Sequence, residues 1–370
     1  MSKVLFIRSN PSSPRVEKEA DSLVREGHSV SLFLWNRYSN TSKHKVEQEC
    51  NIYEFGLKAP FGAYKLVFYW VVWWCAIFIY LLRNKFDIIH VCGFDSYPPV
   101  ILNKLVKRNI IIYDIFDFFG ASLPSKTPHI IQKIISKLER SLLRFADAVI
   151  IVDESREVQL KGAKIPKLEV IMNCVSDEDY NFSEYKESNG FTIFYGGMIS
   201  KTRGLKQLVE AIKDEEDIKL IIAGFGEDEV EFKDIFNSYT NIEFLGHVTH
   251  NEAIRLTYQS DAVFGFYDPI IPNNRLASPN KLFEAMMCKT PIIVNGETTM
   301  ADIVRRENCG IIVPYSDELA LKKAIVELKN NPEMCKKMGE SGRNAFEREY
   351  NWEVMEKRLL NLYKYCIDQD

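Results

Sequence analysis

Short apolar runs alternate with amphipathic stretches along the whole chain. In the first half, runs rich in Val, Ile and Phe predict strands at Val4–Ile7, Ser29–Leu34, Asp87–Val91, Ile110–Tyr113, Ala148–Val152 and Val170–Met172. Between them, apolar residues spaced by three and four positions predict helices over 15–26, 61–83, 96–107 and 128–145. This alternation predicts a parallel sheet covered by helices on both faces.

The same alternation restarts after a polar, aperiodic segment over 173–190. Strands are predicted at Thr192–Tyr195, Lys219–Ala223, Ile242–Leu245, Ala262–Gly265, Pro291–Val294 and Ile311–Val313. We therefore expect an α/β protein with two Rossmann-like domains, 1–172 and 191–350, whose parallel sheets face a central cleft. Residues 173–190 form the expected linker, and a last helix over 351–370 is expected to pack back toward the first domain.

Charge and cysteine usage narrow the class of protein. The 370 residues carry a net charge of −4, which argues against a general nucleic-acid binder. Residues 1–169 hold 24 Lys and Arg against 17 Asp and Glu, so the first half is basic and predicts an anionic partner. The eight cysteines form no CxxC pair and no metal-ligand spacing with the six histidines. This spacing gives no reason to expect a metal site. The N-terminus lacks a signal-peptide layout, so we expect a cytoplasmic protein.

The stretch "RLASPNKLFEAMMCKTPIIV" places polar residues around a predicted helix start. Ser278 suits the N-cap and Pro279 the first helical position. Free N–H groups at a helix start bind anions, and Lys281 adds a cation on the first turn. Glu284 follows about one turn later, where it could accept hydrogen bonds from paired hydroxyls. The pattern predicts a site for a phosphate with a ribose beside it, or else a capped helix with surface charges.

A second stretch, "FYGGMISKTRGLKQLVEAI", shows a similar arrangement. A strand ends at Gly196-Gly197, and a helix begins near Gly204 with Lys201 and Arg203 beside its start. Two helix starts with adjacent cations could converge on one diphosphate. A nicotinamide dehydrogenase is disfavoured, because the turn after the first strand has no glycine and "GFGEDE" over 224–229 is too weak a match.

These stretches, with "SPRVEKEADSLVREGHSVSLFLWNR", "YDIFDFFG" and "IEFLGHVTHNEAIRLTYQSDAVF", resemble the retaining glycosyltransferases of family 4, which have the GT-B fold. The resemblance covers nearly the whole chain. It implies that the second domain binds a nucleoside-diphosphate sugar and the first a glycan or lipid-linked acceptor. It also implies transfer with retention, in the synthesis of cell-surface polysaccharides or glycoconjugates. No D-x-D motif stands in a convincing loop context, so we expect a reaction without a metal ion or cofactor.

The resemblance also implies roles for residues of the second domain. Glu284 matches the second Glu of the family's E-x7-E pattern, which holds the ribose, whereas the first Glu is replaced by Leu276. Backbone groups at Ser278, Pro279 and Asn280 would then carry more of the sugar contact. Arg203 matches a phosphate-binding basic residue. Gly197 occupies the position at which the family commonly has a second basic residue, so Lys201 or Lys281 would substitute for that residue. Gly196, Gly224, Gly246 and Val248 complete the expected donor site.

In the first domain, Asp117 matches the Asp of the family's frequent His-Asp pair, and Phe116 stands at the His position. Arg203 and Lys281 would stabilise the leaving phosphate, while Asp117 and His90 would orient the acceptor. Arg15, in the turn region after the first strand, could bind an acceptor phosphate.

The run Leu66–Leu82 holds seventeen uncharged residues, seven of them aromatic. A helix of this length spans about 25 Å, short of the ~30 Å hydrocarbon core, so it should not cross a membrane. It is either a buried core helix or a helix whose outer face touches an anionic bilayer through Trp70, Trp73 and Trp74. Lys58, Lys65, Arg83 and Lys85 flank it. We favour peripheral attachment to the cytoplasmic face of a membrane.

Three other classes stay open at this point. A sugar-nucleotide 2-epimerase of the same fold would need carboxylates and histidine for elimination at the sugar, and no convincing set is apparent. An exported sugar-binding protein would carry a signal peptide. A non-catalytic partner subunit that binds a nucleotide sugar would be compatible with the missing first Glu.

Overall fold

A computed structural model describes residues 1–11, 13–37, 50–59, 66–123, 127–177, 180 and 190–369. The chain divides into two compact units. Unit 1 comprises Met1–Met172 and Met355–Asp370, and unit 2 comprises Asn173–Val354. Most of the linker expected over 173–190 lies outside the described residues, as do Lys65 and the rest of 61–65 at the start of the helix predicted over 61–83.

Unit 1 alternates strands and helices. Its strands are β1 (Lys3–Arg8), β2 (Ser29–Asn36), β3 (Asn51–Gly56), β4 (Ile88–Cys92), β5 (Ile110–Ile115), β6 (Ala148–Ile151) and β7 (Leu168–Val170). Its helices up to residue 172 are α1 (Pro14–Arg25), α2 (Leu66–Arg83), α3 (Tyr97–Lys104), α4 (Phe119–Ser122), α5 (His129–Leu142) and α6 (Glu157–Leu160).

The strands of unit 1 form one parallel sheet in the order β3-β2-β1-β4-β5-β6-β7. Side chains of a strand alternate between the two faces, so Ile89 and Val91 point to one face and His90 to the other. The first face carries an apolar core shared with α2, α3 and the end of α5. Its largest buried side chains are Trp35, Trp73, Tyr97, Tyr113 and Phe118.

The edge strand β3 was not predicted. Its sequence, "NIYEFG", alternates weakly and most of its side chains are exposed or half-buried. An edge strand with little burial needs no regular apolar pattern, so the sequence carries little signal for it. The other strands of both units were predicted within about two residues.

Unit 2 repeats the architecture. Its strands are β8 (Phe191–Gly196), β9 (Ile218–Ala223), β10 (Ile242–Gly246), β11 (Ala262–Gly265), β12 (Ile292–Asn295) and β13 (Gly310–Val313). Its helices are α7 (Leu205–Ile212), α8 (Glu229–Phe236), α9 (His250–Gln259), α10 (Pro272–Arg275), α11 (Asn280–Met287), α12 (Thr299–Glu307), α13 (Glu318–Asn330) and α14 (Pro332–Arg348).

The sheet of unit 2 is also parallel, in the order β10-β9-β8-β11-β12-β13. From β8 the chain adds β9 and β10 toward one edge of the sheet, and it then adds β11, β12 and β13 toward the other edge. In open α/β sheets, ligands bind outside the carboxyl ends of the strands at such a point. Each unit therefore has one Rossmann-like parallel sheet, and the predicted α/β class is confirmed.

The last helix, α15 (Trp352–Asp368), returns to unit 1 from Met355 onward. Leu359, Leu362 and Tyr363 of this helix are buried. The Tyr363 hydroxyl lies 2.7 Å from Nδ1 of His90 on the second face of the unit 1 sheet. The C-terminal helix thus completes a domain that begins at residue 1.

Candidate active site

A cavity of about 820 Å³ opens at the carboxyl ends of the unit 2 strands β8, β9, β10 and β11. Most of the expected donor-binding residues line it: Gly196, Gly197, Gly224, Val248, Pro279, Asn280, Lys281 and Glu284. A smaller cavity of about 540 Å³ lies at the opposite ends of the strands of the same sheet, and none of these residues lines it. The larger cavity is where the topology predicts a ligand, and we take it as the candidate active site.

Two glycine loops form one wall of this cavity. A Cβ atom added to Gly224 would lie 1.7 Å from the carbonyl oxygen of Gly197, so only glycine permits this approach. The Gly224 amide donates to the carbonyl of Gly246 at 2.7 Å, and the Gly197 amide donates to the carbonyl of Ala223 at 2.9 Å. Gly224 also has a φ of 150°, which side chains rarely adopt. These contacts hold the two loops against each other, and both loops line the cavity.

Two cations meet at the ring of Tyr267. The guanidinium carbon of Arg203 lies 4.2 Å from the ring centroid, and Nζ of Lys281 lies 5.7 Å from it. Nζ of Lys281 also lies 4.1 Å from the centroid of Tyr195. Arg203 is held by a 3.0 Å hydrogen bond from Nη1 to Oδ1 of Asn274. Burial and then the charge of Arg203 lower the pKa of Lys281 to about 7, although Glu284 opposes the shift.

Glu284 reaches the cavity from the second turn of α11, with 13% of its side chain exposed. Its Oε1 atom lies 2.9 Å from Nε2 of His250, at the first residue of α9. The other nitrogen of His250, Nδ1, lies 2.9 Å from the hydroxyl of Tyr180. His250 was not predicted from the sequence. The signal was Thr249, which caps α9 by accepting a hydrogen bond from the Glu252 amide and so places the next residue at a helix start.

Three residues expected in the donor site lie differently from the prediction. Lys201 is 60% exposed and pairs with Glu231 at 2.7 Å, so its ammonium is directed to the surface and does not line the cavity. The carbonyl of Gly246 is occupied by the Gly224 amide, which leaves less of this residue for a base. Ser278 does not cap α11: the helix begins at Asn280 because Pro279 is extended. The buried Ser278 hydroxyl has no hydrogen-bond partner among the described residues.

His90 is fully buried, which corrects the prediction that it orients an acceptor. Its ring stacks on Phe6 with centroids 4.4 Å apart, and Nδ1 faces Tyr363. Nε2 lies 3.6 Å from Asp114 and 3.8 Å from Glu19. An imidazole enclosed on every side has no surface with which to touch a substrate.

Arg15 is corrected in the same way. It lies on α1 and is 2% exposed. Its guanidinium donates to both carboxylate oxygens of Asp114 at 3.2 and 3.0 Å and to the carbonyl of Ile171 at 2.6 Å, and it pairs with Glu19 at 3.0 Å. These partners use the donors that an acceptor phosphate would need.

Asp117 remains a candidate for acceptor binding. Its side chain is 56% exposed and pairs with Nη2 of Arg156 at 2.9 Å. The neighbouring Phe116 ring lies between two guanidinium groups, those of Arg8 and Arg15, each 5.0 Å from its centroid. Arg8 was not singled out from the sequence, yet it ends the central strand β1. Its Nη1 atom is buried, and no residue in the described part of the chain forms a hydrogen bond with that atom.

Among the described residues, His90, Cys92 and Asp114 are the group of three side chains that could hold a metal ion, with ligand atoms within 4.8 Å of one another. Arg15 already binds both oxygens of Asp114, and burial raises the pKa of the Cys92 thiol well above its usual range. A neutral thiol and an occupied carboxylate do not fit a divalent cation. The group is distant in sequence from every residue of the unit 2 cavity.

Helix α2 faces the solvent differently from the prediction. Trp73 is fully buried and donates to the Ser96 hydroxyl at 3.1 Å, so the expected membrane contact by Trp73 is wrong. Trp74 is half-buried and donates to the carbonyl of Asp95 at 2.7 Å, and Trp70 is half-buried against Phe119. The exposed side of α2 is instead formed by Phe68, Val71, Val72, Cys75, Ile79 and Leu82. Within the described residues, no helix is both long and apolar enough to cross a bilayer.

Comparison with known proteins assigns the family. The model for glycosyl transferases group 1 matches residues 176–345, and the model for glycosyltransferase family 4 matches residues 15–179. The two matches together extend from unit 1 through unit 2 in the order expected for this family. The chain belongs to glycosyltransferase family 4, and it is a transferase enzyme.

Individual relatives agree with this assignment. The chain is 25% identical over 293 residues to the phosphatidyl-myo-inositol mannosyltransferase of Mycobacterium leprae, covering 77% of this chain and 75% of that protein. The sucrose-phosphate synthase of Thermosynechococcus elongatus superposes with a TM-score of 0.81, 16% identity and full coverage of both chains. The HepE protein of Anabaena, solved with UDP-glucose, superposes with a TM-score of 0.72 and 14% identity, covering 99% of this chain and 100% of that one. The predicted GT-B fold is confirmed.

Proposed function

We propose that the enzyme transfers a sugar from a nucleoside diphosphate to a glycan or lipid-linked acceptor, with retention of the anomeric configuration and without a metal ion. The observation that carries the proposal is that Lys281 and Glu284 line one cavity at the carboxyl ends of the unit 2 strands, with Arg203 against the Tyr267 ring of the same cavity. A cavity of about 820 Å³ has the size of sites that enclose a nucleotide-sized ligand. The UDP-glucose bound by the structural neighbour HepE belongs to the same chemical class.

The cavity offers a separate contact for each part of such a donor. Arg203 and Lys281 supply two positive charges for the diphosphate, next to the first turn of α11. Glu284 offers a carboxylate to the ribose hydroxyls. The loops at Gly224 and Val248 present backbone groups to the base.

The proposed reaction breaks the bond between the anomeric carbon and the diphosphate oxygen and forms one to the acceptor oxygen. Negative charge develops on the leaving phosphate, and preorganised cations stabilise it. The acceptor hydroxyl loses its proton to an oxygen of that phosphate on the same face of the sugar. This route gives retention, and Arg203 and Lys281 replace the metal ion that other transferases use.

Turnover with a panel of nucleotide sugars and a lipid extract as acceptor tests the proposal. Proton NMR of the product gives its anomeric configuration, and excess EDTA tests the need for a metal. We expect transfer with retention in EDTA. An inverted product would overturn retention, and activity lost in EDTA but restored by Mn²⁺ or Mg²⁺ would overturn metal independence. Absence of transfer from the whole panel would favour a non-catalytic binding role.

We also propose that unit 1 brings the enzyme to an anionic bilayer on the cytoplasmic side, through an aliphatic face on α2 and α5. We define this face as Phe68, Val71, Val72, Ile79 and Leu82 of α2 with Ile130, Ile131, Ile134 and Leu138 of α5, each at least 43% exposed. Both helices lie against the same core of unit 1. The exposed Lys133 and Lys137 lie beside this face on α5, while Arg83 ends α2 and Lys85 follows it. Apolar side chains flanked by cations fit the interfacial region of an anionic membrane.

Co-sedimentation with anionic liposomes tests this attachment. The variant Ile134→Ser/Leu138→Ser removes exposed apolar area from α5, and Val230→Ser, at a side chain that is 82% exposed in unit 2, is the matched control. We expect the wild type and the control to pellet at low salt and the double variant to lose most of its binding. Wild type that stays in the supernatant would overturn the membrane proposal and indicate a protein partner for this face.

A further inference from the structure

His250, which lines the cavity, and Tyr180 extend the hydrogen bonding of Glu284. Glu284 is bonded through Oε1 to His250 at 2.9 Å, and His250 is bonded to Tyr180 at 2.9 Å. Across the part of the chain that the structure describes, no other group is hydrogen-bonded to the Glu284 carboxylate. The two ring nitrogens of His250 therefore lie between the Tyr180 hydroxyl and the carboxylate of the cavity.

We propose that His250 is a positioning residue for the donor: it holds Glu284 in the rotamer that receives the ribose hydroxyls, and Tyr180 holds His250. This inference rests on the proposed function, because it takes Glu284 as the ribose contact. It adds a residue to which neither the sequence motifs nor the resemblance gave a role.

The geometry supports a role in which His250 holds the Glu284 side chain in place. A glutamate side chain has three rotatable bonds, so an unrestrained carboxylate would lose freedom when a ligand binds. One hydrogen bond from Nε2 of His250 removes that freedom in advance. Each carboxylate oxygen accepts more than one hydrogen bond, so Oε1 and Oε2 both remain available to a pair of hydroxyls.

The placement of His250 follows from local structure. Thr249 caps α9, and the helix begins at His250, whose backbone is therefore fixed at the cavity margin. The imidazole is 50% exposed, so without its two partners it would be free to rotate. Tyr180 supplies the second restraint and sets the ring tautomer together with Glu284.

Calorimetric titration with ADP, GDP, CDP and UDP, and with the 2′,3′-dideoxy form of whichever binds, tests the inference. The ratio of the two affinities measures the ribose contact separately from the base and phosphates. For the wild type we expect the ribose form to bind more tightly than the dideoxy form by about tenfold or more, because the dideoxy form lacks the hydroxyls that form hydrogen bonds to a charged group. His250→Leu should reduce this ratio by roughly threefold or more, the loss expected when one side chain must be ordered on binding.

Two further variants separate positioning from general damage to the fold. His250→Gln keeps a donor near the Nε2 position and should restore most of the ratio, whereas Tyr180→Phe should give a smaller reduction than His250→Leu. The matched control is His247→Leu, since His247 lines the same cavity beside Phe225 but is not bonded to Glu284. It should change both affinities by the same factor and leave the ratio unchanged.

The outcomes distinguish the inference from the function on which it rests. If the wild type binds none of the four nucleotides, or binds ribose and dideoxy forms equally, the proposed function fails at its ribose contact. If the wild type discriminates and His250→Leu discriminates equally well, only the positioning role is overturned. A ratio that falls equally in His247→Leu would also overturn it.

Discussion

The two units build similar parallel sheets and use the ionisable side chains near them in opposite ways. In unit 1, Arg15, Asp114 and His90 are enclosed together between the sheet and the helices α1 and α15. In unit 2, Lys281 and Glu284 line an open cavity, and Arg203 lies against its Tyr267 wall. A charged residue near a strand end is therefore not by itself a functional residue. Whether such a residue can serve a ligand depends on whether other residues of the fold already pair with its charge.

The largest expected effect would come from breaking the internal pairing of unit 1. Arg15→Met leaves Asp114 buried without its guanidinium, which should lower the free energy of unfolding by about 3–5 kcal/mol. The double variant Arg15→Met/Asp114→Asn should recover part of this loss, because Asp114 is then neutral and only Glu19 is left without the guanidinium. Urea denaturation measures both. Wild-type stability in the single variant would mean that the pair contributes nothing and that Arg15 is free to serve a ligand.

The second effect sharpens the role of the cations of unit 2. Arg203→Ala and Lys281→Ala should each slow sugar transfer by roughly 10²–10³-fold, the range for removing one contact to developing charge. Lys206→Ala is the matched control, since Lys206 is an exposed lysine on α7 of the same unit. Steady-state kinetics with the best donor of the panel provides the measurement. Unchanged turnover in either cavity variant would remove the phosphate contact from the proposal.

A smaller effect is expected for Glu284→Ala. Loss of hydrogen bonds to a charged group should weaken nucleoside-diphosphate binding by about 1–3 kcal/mol, while the melting temperature stays near that of the wild type. Calorimetric titration and thermal unfolding give the two values. Unchanged affinity would show that Glu284 is a surface residue paired only with His250. A large drop in melting temperature would place Glu284 among the structural residues, as in unit 1.

The smallest effect is a pH dependence that comes from Lys281. Its pKa is lowered to about 7 by burial and by Arg203, so the free amine loses its proton as the pH rises through 7. An anionic donor prefers the charged amine, and above pH 7 binding must take up a proton. Donor affinity should therefore fall about fivefold between pH 7 and pH 8. In Lys281→Arg the guanidinium stays charged, and affinity should be nearly flat over this range. An equally flat wild-type profile would contradict the lowered pKa.

The sequence was most informative where one local pattern determines the result. Apolar periodicity predicted nearly every strand, and the motifs around Gly197, Lys281 and Glu284 predicted residues that now line one cavity. Both depend on features within a few residues of each other. The edge strand β3 escaped because an exposed strand needs no apolar pattern.

Long-range partners were not predictable in the same way. His90 is enclosed by Tyr363, and Arg15 is bound to Asp114, residues that are far from them in sequence. The tryptophans of α2 face inward because Ser96 and Asp95 offer hydrogen-bond acceptors to Trp73 and Trp74. Nothing in an apolar run specifies which of its sides will find such partners.

The return of α15 to unit 1 has a consequence for the order of events during synthesis. Domains usually fold in turn as they leave the ribosome, the N-terminal one first. Here the segment Met355–Asp370, which buries His90 beneath Tyr363, is made after all the residues of unit 2. We therefore expect the unit whose synthesis starts first to reach its final structure after unit 2, because the face of its sheet that carries His90 stays uncovered until this segment is made.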